Sequence, residues 1–337
     1  MLLALASVTI LAAPLASQSS VRDGLFGPEI QSREHFAQRG GRRIAIFEKS
    51  VTGTLRKGPR RVAVVLPSAS YSSRANWDLS VRDYSVMDAL AREGWDVFAI
   101  DFQGYGKSDS PKKGSYSDAR EAVEDLAAAT KYIENLHGVA KVDVIGWSWG
   151  AQVAGRFAQT HPERVNGLVL YGFNHQVGIP EDVFPEGFLD QPTRSVSPED
   201  VRSDFIPEAH DPDIPEAFAD ACLRFGNRAP NGALRDYVYG LPLVEPAKLQ
   251  APTLLIYGQH ELEGFGELND GEASYFQARR DDASDFFEGL NATRKQFSVV
   301  PGGGHAVHLE KPHLEWQKQV TEFLRGSETP SDTSKSR

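Results

Sequence analysis

Cysteine is almost absent from the sequence: Cys222 is the only one in 337 residues. An intrachain disulfide therefore cannot form, and a disulfide scaffold or a thiol-based metal cluster is excluded. Cys222 lies in a helix-like stretch that lacks the histidine signature of a cysteine nucleophile. We interpret it as a small, buried, apolar residue.

Basic residues are in the minority. The chain has 36 Lys and Arg against 46 Asp and Glu, which gives a net charge of −10. A nucleic-acid-binding protein needs a basic surface for the phosphates, so the charge argues against that class. Gly104-Tyr-Gly106 lacks the third glycine and the helix of a dinucleotide fingerprint, and Gly302-Gly-Gly304 lacks the lysine of a P-loop. No cofactor and no metal site are implied.

The first residues carry the longest apolar run. Residues 1–16 are almost wholly apolar, but the run is too short for a membrane-spanning helix. Small residues near Ala16 suit cleavage, although no Lys or Arg precedes the run. Residues 1–20 are therefore predicted to be a signal peptide or an uncleaved N-terminal arm. We expect a secreted or periplasmic protein, with a cytoplasmic one as the alternative, and no membrane span in the mature chain.

Apolar runs of strand length alternate with amphipathic stretches of helix length, a pattern typical of a parallel sheet covered by helices. The predicted strands are residues 43–47, 61–66, 95–100, 141–145, 166–171, 253–257 and 296–300. The predicted helices are residues 81–92, 118–136, 151–159 and 313–324. We predict an α/β fold with a mostly parallel, doubly wound sheet of about eight strands, flanked by helices.

A proline-rich segment interrupts this alternation. Ten prolines lie among short helical pieces and aromatic residues between residues 174 and 248. So long an excursion between core strands is a functional lid or a disordered insert, and the aromatic residues favour a packed, helical lid after the sixth strand. The predicted domains are therefore a core formed by residues 21–173 and 249–325, a lid of residues 174–248, and a flexible tail of residues 326–337.

The strongest motif is Gly146-Trp-Ser148-Trp-Gly150, which matches G-x-S-x-G. It directly follows a predicted strand and directly precedes a predicted helix. A serine at so sharp a turn is held in strained geometry with its hydroxyl exposed, and the flanking glycines prevent clashes. The helix N-terminus beneath it favours developing negative charge. Ser148 is therefore the candidate nucleophile.

A serine hydroxyl needs a base and an acid behind that base. His305 follows Gly302-Gly-Gly304 after the last predicted strand, and Glu261 follows the strand before it. The order serine, acid, histidine is the one that a G-x-S-x-G turn of this kind uses. His308 is the nearest rival base and is interpreted as structural. The rival acids are Glu263, Glu267 and Asp270.

These motifs resemble the α/β-hydrolase superfamily over residues 43–324, apart from the lid. The resemblance rests on the residues 101–109, 146–150, 252–261 and 304–312. It implies an oxyanion hole formed by the backbone N–H groups of Trp149 and Ala69. Most relatives carry Asp where this chain has Glu261, and His-Gly where it reads Pro67-Ser-Ala-Ser-Tyr71. The hydroxyls of Ser68, Ser70 or Tyr71 could replace a missing donor.

The predicted function is a serine hydrolase that cleaves a carboxylic ester or lactone of a small hydrophobic substrate through an acyl-enzyme. Relatives that open epoxides or displace halide use an aspartate nucleophile. Because this chain has Ser148 at that position, those two reactions are excluded. The substrate pocket is expected between core and lid, with aromatic side chains as an apolar wall; its predicted residues are Ser70, Tyr71, Trp147, Phe184 and Phe188. The alternatives are a weakly catalytic or non-catalytic small-molecule receptor on the same fold, and an aminopeptidase-like or carbon–carbon bond hydrolase.

Overall fold

The computed structural model describes residues 29–52 and 60–327. The predicted signal peptide or arm, residues 1–20, lies outside the described residues, as do residues 328–337 of the predicted tail. Within the described ranges, no helix combines the length and the apolar character needed to cross a membrane.

The described residues form ten strands, and eight of them make one central sheet. The strands are β1 Ile30–Arg39, β2 Arg42–Val51, β3 Arg61–Leu66, β4 Trp95–Ile100, β5 Val142–Trp147, β6 Val165–Tyr171, β7 Thr193–Ser195, β8 Arg228–Pro230, β9 Thr253–Gly258 and β10 Lys295–Val300. All except β7 and β8 belong to this sheet, in the order β1-β2-β4-β3-β5-β6-β9-β10. β2 is antiparallel to both of its neighbours, and the other neighbouring pairs are parallel. The predicted sheet is confirmed.

Helices flank this sheet. They are α1 Ser73–Trp77, α2 Val86–Arg92, α3 Ala119–His137, α4 Trp149–Thr160, α5 Pro198–Arg202, α6 Ile214–Phe225, α7 Gly232–Arg235, α8 Gln259–Glu263, α9 Asp270–Gly289 and α10 His313–Arg325. Short 3₁₀ turns lie at Pro162–Arg164, Glu181–Val183, Pro246–Lys248 and Val307–Leu309, and a π-helical turn at Asp236–Gly240. The α3 helix begins after the predicted cap: the Asp118 carboxylate accepts the N–H groups of Arg120 and Glu121.

The continuous apolar strands are buried because helices cover both faces of the sheet. Every residue of β4, β5 and β9 is buried. Their carboxyl ends lie at one edge of the sheet, where the βα loops collect. Cys222 packs in the core as predicted.

Two of the longer elements escaped prediction, and one helix begins later than predicted. β1 is an edge strand of largely polar sequence, so it lacks the apolar run that marks the others. α9 is mostly exposed, although its Asn269–Glu272 capping box is a local start signal. α2 begins at Val86 rather than at residue 81, because the Ser85 hydroxyl caps it by accepting the N–H of Asp88.

The connection from β6 to β9 holds α5, α6, α7 and a small antiparallel sheet of β7 with β8. It is therefore less purely helical than predicted. Buried side chains such as Phe205, Phe218 and Tyr237 join it to the common core. Its action as a lid, and the domain boundaries at residues 174 and 248, stay predictions.

Candidate active site

Ser148 occupies the turn between β5 and α4 with φ 57° and ψ −123°, a backbone conformation that non-glycine residues rarely adopt. The glycines around it allow very close packing. A Cβ on Gly146 would lie 2.2 Å from the Gly150 carbonyl oxygen, and one on Gly150 would lie 2.4 Å from the Pro67 carbonyl oxygen. The G-x-S-x-G motif therefore folds as the sharp strand-to-helix turn that its sequence predicts.

Two buried aromatic side chains fix the loop that carries His305. The backbone carbonyl of His305 accepts hydrogen bonds from Trp147 Nε1 at 2.8 Å and from the Tyr171 hydroxyl at 2.6 Å. The glycine-rich segment before His305 would otherwise leave the loop free to move. The backbone is thus held while the imidazole, 36% exposed, reaches the cavity beside Ser148.

Glu261 is joined directly to His305. Its Oε1 lies 2.6 Å from His305 Nδ1, and its Oε2 accepts the N–H of Gly258 at 3.0 Å. Burial lowers the pKa of His305, but the charge and hydrogen bond of Glu261 outweigh it and raise that pKa above its ordinary value. Gly172, with φ +60°, leaves room for the pair: a Cβ there would lie 2.9 Å from His305 Cε1 and 3.0 Å from Glu261 Oε1.

The rival residues have other environments. His308 is buried between the Tyr171 hydroxyl and the Asn76 carbonyl oxygen, each 3.2 Å away. Burial lowers its pKa to about 3, so it stays neutral and structural. Among the rival acids, Glu263 is exposed and accepts a hydrogen bond from Gln259, and Glu267 and Asp270 are exposed as well.

Tyr237 is a partner of the serine that the sequence did not predict. Its hydroxyl lies 3.2 Å from Ser148 Oγ. Among the described residues no hydrogen bond joins Ser148 to His305, although both line one cavity. Tyr237 belongs to the π-helical turn between β6 and β9, and burial raises its pKa, so the phenol stays protonated. No local motif could have paired it with Ser148, because the contact spans 89 residues of sequence.

The cavity that contains Ser148, Glu261 and His305 has a volume of about 440 Å³. Its walls are mostly apolar, and it also holds the half-buried side chain of Asp204 and the buried side chain of Arg279. The remaining lining residues are Asn174, Ile179, Ser203, Phe205, Ile206, Tyr237, His260, Phe265, Tyr275 and Phe276. Such a volume and lining suit a small organic molecule.

The prediction of the pocket residues is corrected here. None of the predicted residues lines this cavity: they are Ser70, Tyr71, Trp147, Phe184 and Phe188. Trp147 lies beneath the site and holds the His305 loop, and the buried Tyr71 donates to Asp204 at 2.7 Å. Phe184 and Phe188 stack on each other. The prediction failed because Trp147, beside the serine in sequence, lies beneath the site rather than in the cavity, whereas Tyr275 and Phe276 of α9 supply part of the cavity wall.

The segment after β3 lies against the start of α4, as the contact of Gly150 with Pro67 shows. Trp149 is the first residue of α4, so its N–H has no acceptor within the helix. The Ala69 carbonyl accepts from Arg194 at 2.7 Å, and the same guanidinium donates to Ser70 Oγ at 2.9 Å. Ser68 Oγ is buried without a hydrogen-bond partner among the described residues. That Trp149 and Ala69 donate to an oxyanion stays a prediction.

The fold and the serine turn define an α/β-hydrolase. More particularly, the chain belongs to the serine aminopeptidase family (S33), whose model matches residues 78–312. That name describes the family as a whole and does not specify the substrate of this chain.

Curated proteins that are similar in sequence are named for several different activities. The chain is 28% identical over 244 residues to a putative 2-succinyl-6-hydroxy-2,4-cyclohexadiene-1-carboxylate synthase of Bacillus subtilis (strain 168), covering 68% of this chain and 80% of that protein. It is 41% identical to a proline iminopeptidase of Neisseria gonorrhoeae, over only 77 residues and 23% of each chain. Among solved structures, an esterase from Exiguobacterium antarcticum superposes with a TM-score of 0.60 at 18% identity, covering 87% of this chain and all of that one. That superposition shows the fold alone.

Proposed function

We propose that the protein is a serine hydrolase that cleaves a carboxylic ester or lactone of a small, largely apolar substrate through an acyl-enzyme. The observation that carries this is the buried Glu261 carboxylate, 2.6 Å from His305 Nδ1, in the cavity that also contains the strained Ser148. A carboxylate on Nδ1 keeps the proton there and leaves Nε2 free to accept one. The apolar lining favours a hydrophobic substrate.

In the proposed reaction, Ser148 Oγ attacks the carbonyl carbon while its proton moves to His305 Nε2. The tetrahedral intermediate places negative charge on the carbonyl oxygen, near the N–H of Trp149 at the start of α4. The bond to the alcohol then breaks, and His305 returns the proton to the departing oxygen. Water, activated in turn by His305, attacks the acyl-enzyme and releases the acid. Glu261 stabilises the imidazolium in both halves.

Aminopeptidase activity is the second candidate, supported by the local match to proline iminopeptidases and by the half-buried Asp204 carboxyl in the cavity. The test compares p-nitrophenyl esters with p-nitroanilides of single amino acids, with Ser148→Ala as background. We expect wild-type turnover of the esters and rates for the anilides close to background. Cleavage of the anilides without cleavage of the esters would replace the ester proposal with the peptidase one.

The pH dependence should report the Glu261–His305 pair. A protonated His305 cannot accept the serine proton, so kcat/KM falls as the pH falls through the raised pKa of His305. The acid limb is therefore expected above the ordinary histidine value of 6.5. Glu261→Gln removes the charge that raises this pKa, so the limb should move to lower pH. We would measure it as the rate of phosphonate labelling across the pH range; a limb that Glu261→Gln leaves in place would contradict the pairing.

Tyr237→Phe is expected to lower kcat by about 10²-fold with little change in KM, because a protonated phenol beside Ser148 Oγ can donate to the charge that develops during attack. Steady-state kinetics with a p-nitrophenyl ester measures the effect. Tyr239→Phe is the matched control: Tyr239 is 52% exposed and donates to Glu181 instead. An unchanged or faster Tyr237→Phe enzyme would mean that the phenol only restrains the resting serine.

A further inference from the structure

Arg279 is a buried cation without an acidic partner. Only 3% of the residue is exposed, and it projects from α9 into the cavity of Ser148. Its one side-chain hydrogen bond is a long one, 3.4 Å from Nη1 to the Phe173 carbonyl oxygen, and among the described residues no carboxylate forms an ion pair with it. A guanidinium carries five N–H donors, and burying its charge without a counter-charge is costly. The arrangement leaves donors available to a molecule in the cavity.

The acidic groups around Arg279 are engaged elsewhere. Asp282, one turn further along α9, accepts the backbone N–H groups of His175 and Gln176 at 2.8 and 2.9 Å. Glu261 binds His305 and Gly258. Asp204 accepts the hydroxyl of Tyr71, and burial raises the pKa of its carboxyl. An anion that enters the cavity is therefore attracted to Arg279 without having to displace a carboxylate.

The charge of Arg279 lies close enough to the reacting groups to influence them. It opposes the rise that burial causes in the pKa of the Tyr237 phenol, and it opposes the rise that Glu261 causes in the pKa of His305. Phe265 and Tyr275 line the same cavity and are 45% and 46% exposed, so they lie where the cavity opens to solvent. The cavity thus combines an apolar entrance with a fixed positive charge near the candidate catalytic groups.

We infer that Arg279 binds a carboxylate of the substrate, so that the preferred substrates are esters that carry an acid group on an apolar body. This inference rests on the proposed function, because it names the substrate class of that site. Arg279 is well suited to the role, since a guanidinium forms two parallel hydrogen bonds with a carboxylate. Its burial also removes competing water, which strengthens the pairing.

The kinetic test uses esters that differ only in the charged group. On the acyl side, p-nitrophenyl valerate is compared with mono-p-nitrophenyl glutarate, whose carboxylate replaces the terminal methyl. On the alcohol side, p-tolyl acetate is compared with p-acetoxybenzoate. We expect wild type to favour the acidic member of at least one pair in kcat/KM. Arg279→Gln should lower that preference by about 10- to 100-fold, mainly through KM, with little change for the neutral ester.

Two further variants separate charge from structure. Arg279→Lys keeps the charge and should retain part of the preference. Arg280→Gln is the matched control, because Arg280 is the next residue on α9 but donates to the Leu262 carbonyl and Gln277, away from the cavity lining. It should leave both members of each pair unchanged. Equal losses for acidic and neutral esters in Arg279→Gln would mean that the side chain only supports the fold, and would overturn the inference.

Binding tests the anion site without relying on turnover. Titration calorimetry measures the affinity of Ser148→Ala for p-acetoxybenzoate and for p-tolyl acetate. We expect tighter binding of the acid, and loss of that difference when Arg279→Gln is added. Equal affinities would overturn the inference even if the enzyme hydrolyses neutral esters. Arg279-dependent binding in a wild-type protein that labels no serine would uphold the anion site and reject the hydrolase proposal.

Discussion

Ser148→Ala is expected to lower kcat for any ester substrate by about 10⁴- to 10⁶-fold, because removal of the nucleophile leaves only the binding contribution of the site. The substitution keeps the Cβ at the strained turn and removes one oxygen, whose hydrogen-bond partner is Tyr237. The fold should therefore survive. Steady-state kinetics measures the loss, and the midpoint of thermal unfolding should stay within a few degrees of wild type.

A comparison with Ser203→Ala makes the test specific. Ser203 lines the same cavity, and its hydroxyl donates to the backbone carbonyl of Asp200. It should retain nearly all activity, since no base is joined to it. Appreciable turnover by Ser148→Ala, free of wild-type contamination, would show that the nucleophile lies elsewhere.

Glu261→Gln is expected to lower kcat by about 10³- to 10⁴-fold. The reason lies in the two partners of this carboxylate. The Gly258 N–H occupies one oxygen, so the glutamine carbonyl should take that place and turn its NH₂ group towards His305 Nδ1. An imidazole that accepts there carries its proton on Nε2 and can no longer take one from Ser148. The loss should therefore exceed that from a missing charge alone.

Glu263→Gln is the control for this substitution. Glu263 lies two residues further along the chain, is exposed, and accepts a hydrogen bond from Gln259. Its kinetics should match those of wild type when both variants are measured with the same ester. Full activity in Glu261→Gln, or a large loss in Glu263→Gln, would contradict the assignment of the acid.

The sequence was most informative where local rules decide the structure. Glycines around Ser148 leave few conformations for the turn, and the apolar strands can be buried only in a sheet with both faces covered. The juxtaposition of Glu261 and His305 followed from their places after two strands that prove to be neighbours, β9 and β10. These inferences needed no knowledge of side-chain packing.

The residues of the cavity wall could not be predicted from the sequence, because they are brought together by long-range contacts. Tyr237 meets Ser148 across 89 residues of sequence, and nothing near either residue specifies the contact. Arg279 lies on α9, a helix whose largely exposed sequence shows little of the amphipathic pattern that marks a packed element. The aromatic residues chosen for the pocket were reasonable by type, yet Trp147 is needed beneath the site to hold the His305 carbonyl.

The catalytic role of Ser148 is tested most directly by covalent labelling of the folded protein with a fluorophosphonate probe, read as an intact mass and then located by peptide mapping. We expect one adduct, on Ser148, that is lost in Ser148→Ala and strongly slowed in His305→Ala. An adduct on another residue, or labelling of Ser148 that is unaffected by His305→Ala, would contradict the catalytic assignment. A folded wild type that takes up no probe would favour a receptor that keeps the fold without the reaction.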